Sequence, residues 1–140
     1  SITLVNSANQ PMEAEVKLDN ATMYKAEKHI LQELAAQMSC VVAGRTGFMV
    51  FRQSPNHLSI FIQASMEHRI KRIMSRRNVS DEKARSIIAS IDSSRETYIQ
   101  KYEDTSRYDT RNYQLVISMD ELSEDDAVEV IMDYINRTSK

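Results

Sequence analysis

Arginines dominate the residues that could do chemistry. Arg69, Arg72 and Arg76 recur at three- and four-residue spacing, which puts them on one face of a helix, with Lys71 and Arg77 adding charge nearby. Guanidinium forks match phosphate oxygens, so this face suits a nucleotide clamp. A solvated helix face explains the same run without any ligand. Asp92 and Arg95 lie three apart. An arginine held by a neighbouring carboxylate is suited to clamp a mobile phosphate, and a simple intrahelical ion pair, worth about 0.2–0.5 kcal/mol, is the plainer alternative. Gly44-Arg45 directly follows the apolar run Cys40-Val41-Val42-Ala43. Ligands in parallel sheets bind beyond the carboxyl ends of the strands, where Arg45 could meet a phosphate or carboxylate, or pair with a local acid. Arg107, Tyr108, Asp109, Arg111 and Tyr113 make a polar, aromatic stretch that could touch a base or ribose, or be a surface loop.

Other chemistries find little support. His29, His57 and His68 are scattered and have no metal-ligand spacing with Cys40, so no zinc site is expected. The acidic run Asp120, Glu121, Glu124, Asp125 and Asp126 reads as helix capping rather than a metal site, because no second ligand set accompanies it. No Ser/His/Asp set has an interpretable arrangement. A net charge of -2 gives no global case for nucleic acid or membrane binding, although the Arg69–Arg77 stretch leaves RNA binding as a weak third reading. Only Gly44 and Gly47 are glycines. Phosphate-cradling loops need several, and no Gly-x-x-x-x-Gly-Lys-Ser/Thr occurs in the chain. The single cysteine, Cys40, is expected to be a buried thiol, and a reducing, cytoplasmic location follows.

The elements that must position these residues follow from periodicity. Residues 1–19 carry turn formers and read as an arm or loop, with Ile2 to Val5 able to form a short strand. The stripe Met23, Ala26, Ile30, Leu31, Leu34, Ala35 and Met38 predicts a helix over about 20–38, capped by Asp19 or Asn20. Cys40–Ala43, Leu58–Ile62 and Tyr113–Ile117 read as strands, with a short helix around Phe48 to Phe51. Ser65, Ser80 and Ser123 stand where N-caps belong, opening helices to about 77, to about 102 and to the end of the chain. Residues 103–112 read as loop. Strands alternating with helices predict an α/β fold with a parallel sheet and helices on both faces.

Several of these pieces resemble one family. The segment 40–45, the strand 58–62 with the arginine-bearing helix after it, Val79 to Ala84 followed by Ile91 to Tyr98, and Asn112 to Ser118 look like the ordered parts of cytidylate kinases. Tyr24-Lys25-Ala26-Glu27 and its helix are similar to the element before the Gly-Arg strand. The chain over about 20–136 is closest to the cytidylate-kinase-like family of bacterial proteins, a P-loop nucleoside monophosphate kinase fold, rather than to the housekeeping enzymes. The resemblance implies a kinase-like domain over 20–140 with a helical lid at about 66–110, transferring phosphate from ATP with Mg²⁺ to a nucleoside monophosphate such as CMP. It implies that Arg45, Thr46 and Arg107 bind the acceptor, that Arg69 and Arg72 lie on the donor side, and that Arg95 acts in catalysis with Asp92 supporting it. Thr46 stands where the housekeeping enzymes have Asp, which leaves the acceptor base open. The family's first strand and phosphate loop would lie between strands 40–43 and 58–62. Their place is expected to be filled by preceding sequence, by residues 1–19 or by a partner. The same fold could also serve as a non-catalytic nucleotide sensor or interaction module, and it leaves room for a homo-oligomer.

Overall fold

Two short apolar runs pair in parallel and set the architecture. A computed structural model describes residues 20–44 and 46–139. In it β1 (Ile60–Gln63) and β2 (Leu115–Ser118) form a two-stranded parallel sheet, in register from Ile60 opposite Leu115 to Gln63 opposite Ser118. Between them run α3 (Met66–Arg77), α4 (Asp81–Tyr102) and a 3₁₀ turn, Thr110–Asn112. The short helix α2 (Gly47–Val50) precedes β1, and α5 (Glu124–Thr138) follows β2. The chain divides into two units, Ser1–Ser39 and Cys40–Lys140. The first contains α1 (Asn20–Gln37), on which Tyr24 is buried while Met23, Ile30 and Leu34 are exposed. All the other elements belong to the second. The expected mixed α/β organisation with a parallel sheet is present.

Each long helix of the second unit starts where its serine dictates. The Ser65 hydroxyl accepts from the His68 N–H at 3.2 Å, and the Ser80 hydroxyl from the Lys83 N–H at 3.2 Å. Such caps satisfy donors that the first helical turn leaves unpaired. At α5 the cap is reciprocal. Ser123 accepts from the Asp126 N–H at 3.0 Å, and the Asp126 carboxylate accepts from the Ser123 N–H at 2.9 Å. Helix α3 stops at Asn78, whose φ of 49° is the left-handed conformation that ends helices. The stripe Ile70, Ile73 and Met74 then packs on α4, where Ala84 has no exposed surface and Ile88 is 3 % exposed.

Two expectations are corrected. Cys40–Ala43 is not a strand, because among the described residues no strand lies beside it to take its N–H and C=O groups. Val41 is fully exposed, and Cys40 is an exposed rather than buried thiol for the same reason. The proposed Ile2–Val5 strand and the Asp19 cap lie outside the described residues. Gly44 adopts φ 71°, which glycine reaches without strain, whereas Thr46 adopts φ 54°, unusual for a β-branched side chain.

The α3–α4 contact should carry much of the second unit's stability. Ile70→Ala is expected to cost about 2–5 kcal/mol, and Ser123→Ala about 1 kcal/mol, read as shifts of the urea unfolding midpoint.

Candidate functional site

The two parallel strands end on the same side, and their exits are tied together. The Met119 N–H donates to the Gln63 carbonyl at 2.9 Å, extending the ladder, and the Ser65 N–H donates to Asp120 Oδ1 at 2.8 Å. Beyond these exits lies a cleft of about 710 Å³. Its apolar lining comes from Phe61, Ile62, Met119 and Leu122 with Val128 and Ile131 of α5. Its cationic lining is Arg69 and Arg72 from α3, Arg95 from α4, and Arg107 from the loop after α4, with His68 of α3 beside them. A slot with an apolar wall and convergent cations suits a ligand that joins a flat apolar body to an anion.

Asp92 organises the cationic lining. Arg69 grips it with both fork nitrogens, Nη1 to Oδ2 and Nη2 to Oδ1, each at 2.7 Å. Arg107 Nη1 lies 3.7 Å from Oδ1, an ionic contact too long for a hydrogen bond. The hydrogen bonds from Arg69 hold the Asp92 carboxyl below its usual range; the charges of Arg69, Arg107 and Arg95 act the same way, against the opposing effect of burial. The same pairing raises Arg69. Farther out, Arg72 donates to Glu124 Oε1 at 2.8 Å, linking α3 to the first turn of α5. Both members are exposed, so the link is worth at most about 1 kcal/mol.

Arg107 is held differently. Its side chain is only 17 % exposed. The guanidinium carbon sits 5.2 Å from the Tyr108 ring centre and 5.8 Å from that of Phe61, within the range of cation–π attraction. Its backbone N–H donates to Glu96 Oε2 at 3.3 Å, and its carbonyl accepts from the Tyr113 hydroxyl at 2.7 Å. Burial raises the Tyr113 hydroxyl above its usual pKa, so it remains a donor. Yet the Arg107 guanidinium makes no hydrogen bond among the described residues, and Nη1 is buried. Leaving such a donor without an acceptor costs roughly 1–3 kcal/mol, and more for a charged group.

Six of the residues singled out in the sequence as ligand contacts, Arg69, Arg72, Asp92, Arg95, Arg107 and Tyr108, line this one cleft. Thr46 is not among the lining residues; it caps α2. Arg45 lies outside the described residues. The Asp92–Arg95 pair does not form. The fork of Arg69 on the neighbouring helix takes both carboxylate oxygens, and Arg95 is left exposed without an ion pair among the described residues. His68, Phe61 and Glu124 also line the cleft, and no pattern in the sequence marks His68 or Glu124 as a cleft residue. The position of Phe61, next to the carboxyl end of the apolar run Leu58–Ile62, was the available signal for it.

A model of the cytidylate kinase-like family matches residues 3–121. The chain belongs to the cytidylate kinase-like family. Among solved structures, this cytidylate kinase-like chain is similar to one described as the crystal structure of an uncharacterized protein from Eubacterium ventriosum ATCC 27560. The TM-score is 0.74 with 24% sequence identity, covering 89% of this chain and 69% of that one. That likeness concerns the fold alone. No curated protein matches this family member.

The Arg69–Asp92 pair predicts a pH signature. A carboxyl whose folded pKa lies below its ordinary 3.8 contributes stability above that value and loses it as pH falls through the lower, folded pKa. Asp92→Asn should therefore be less stable than the parent at neutral pH. The gap should hold down to about pH 5 and close in strong acid. Urea unfolding of both proteins across the acid range measures it.

Proposed function

We propose that the cleft binds nucleotide phosphates. In this reading the chain forms the lid and base-proximal part of a nucleoside monophosphate kinase, passing a phosphoryl group from ATP to a CMP-like monophosphate once a phosphate-cradling loop completes the site. The observation that carries this is the convergence of Arg69, Arg72, Arg95 and Arg107 from three separate segments on one slot with an apolar wall. Phosphoryl transfer asks a protein chiefly for positioning and for neutralising charge on the transferring group. Arg95 is exposed, uncommitted among the described residues and close enough to Asp92 to be felt by it, so it is the side chain best able to follow a moving phosphoryl group. Arg69 is fixed by Asp92 and Arg72 is loosely held by Glu124, which suits them to the donor's phosphates. Asp92 then serves as a positioning residue. Arg45 remains a candidate for the acceptor phosphate on the strength of the family resemblance, and Thr46 lacks support from the cleft lining.

The donor set is compatible with Mg²⁺ that arrives on ATP. Among the described residues no three His, Cys, Asp or Glu side chains cluster to hold an ion. The carboxylates of the cleft, Asp92 and Glu124, are each engaged by an arginine. Magnesium commonly keeps water and substrate phosphates as ligands, with few protein groups. No helix among the described residues is long and apolar enough to cross a membrane, and a nucleotide substrate goes naturally with a cytoplasmic setting. A non-catalytic sensor of the same fold would use the same cleft and differ only in turnover.

Titration calorimetry with CMP and with ATP–Mg²⁺ tests the binding. Arg95→Ala should weaken the nucleotide by about tenfold, as expected for one charge-assisted contact, while leaving thermal stability unchanged. Arg69→Ala should lower both affinity and stability, because it strands Asp92. Absence of binding to any mono- or triphosphate would sink the reading. A coupled phosphoryl-transfer assay on the full product of the gene separates enzyme from sensor.

A further inference from the structure

Of the cations around the cleft, one combines deep burial with unused hydrogen-bonding capacity. Arg69 has given two donors to Asp92, and Arg72 is tied to Glu124. Arg95 is exposed and unconstrained. Arg107 alone is mostly buried, flanked by two aromatic rings, and without a hydrogen bond to its guanidinium among the described residues. Its own segment is loop, so its precision must come from what grips its backbone. Two side chains do so from opposite ends: Glu96 on α4 accepts from its N–H, and the Tyr113 hydroxyl donates to its carbonyl. Glu96 lies one turn beyond Asp92 on the same helix, so α4 places one carboxylate at the backbone of Arg107 and another beside its guanidinium. The Tyr113 ring is itself fixed, stacked 5.0 Å from Phe61 and 5.1 Å from Phe48.

We propose that Arg107 is the rigid oxyanion anchor of the cleft, and that Glu96 and Tyr113 are positioning residues that set its place without touching the ligand. This rests on the nucleotide-cleft reading above. A prepaid arrangement of this kind spares the ordering cost of a long flexible side chain when the anion binds. It also suits the planar fork to a two-point contact with a pair of oxygens on a terminal phosphate. Neither Glu96 nor Tyr113 is among the residues lining the cleft, so a loss of affinity on changing them acts through Arg107.

The test uses inorganic pyrophosphate and CMP as probes in titration calorimetry, with thermal unfolding in parallel. Tyr113→Phe keeps both ring contacts and removes only the hydroxyl. Glu96→Ala removes the acceptor, and Glu96→Gln restores an oxygen in the same place. Tyr113→Phe and Glu96→Ala should each weaken pyrophosphate by about 3- to 10-fold, the scale of one lost hydrogen bond. Glu96→Gln should return to within about twofold of the parent, a rescue that general destabilisation would not produce. Arg107→Lys should lose nearly as much affinity as Arg107→Ala, because an ammonium cannot reproduce the fork. If the parent binds pyrophosphate and Arg107→Ala abolishes it, but Tyr113→Phe and Glu96→Ala bind normally, the positioning role is overturned and the cleft reading survives. If Glu96→Gln is as weak as Glu96→Ala, the backbone contact is not what matters and the proposal also fails. If the parent binds neither probe, the cleft reading itself fails and takes this proposal with it.

Discussion

Parallel pairing of β1 with β2 constrains everything else in the second unit. Parallel strands cannot be joined by a tight turn, so the chain must leave the end of one and travel back to the start of the other. Here that return path is α3, α4 and the loop through the 3₁₀ turn. Because both strands finish on the same side, the exits at Ala64 and Met119 open into one space, and the return path lies over it. The cationic side chains are therefore brought together by connectivity. No two of Arg69, Arg95 and Arg107 are near neighbours in sequence, yet all three are felt by the carboxyl of Asp92.

Asp92 illustrates how burial and charge are balanced in such a site. Four arginines around one small cleft would repel one another without a counter-charge. One carboxylate, gripped by Arg69 and approached by Arg107, offsets that repulsion and leaves a net positive field for an anion. Had Asp92 paired with Arg95 instead, the charge of Arg95 would have been offset and Arg69 left without its partner. The inter-helix pairing leaves Arg95 exposed and without an ion pair among the described residues.

Much of the helical scaffold was legible from side-chain types alone. Ser65, Ser80 and Ser123 announced their helices because a hydroxyl just ahead of an apolar stripe has one strong local use, and the described caps use it. The stripes at Ile70–Met74 and Ala84–Ile88 were visible for the same reason: helical contacts are local in sequence. Strand behaviour was less legible. Leu58–Ile62 and Cys40–Ala43 look alike in composition, but a strand depends on a hydrogen-bonding neighbour that composition does not reveal, and only the former has one among the described residues. At the cleft, Arg69, Arg72, Asp92 and Arg95 were noticed because charged side chains at helical spacing stand out, and Arg107 because it opens a polar, aromatic loop. Which acid each would meet was not legible, since Asp92 and Arg69 lie far apart along the chain and meet only through the α3–α4 packing.

The β1–β2 ladder joins residues made far apart in time. Synthesis delivers α3 and α4 before β2, and their mutual contacts are short-range enough to form quickly. The cleft has no such option. Its floor and apolar wall need residues 115–131, which must find β1 across the whole intervening excursion. Until that segment has paired with β1, the arginines of α3, α4 and the following loop stand without the lining that completes the cleft.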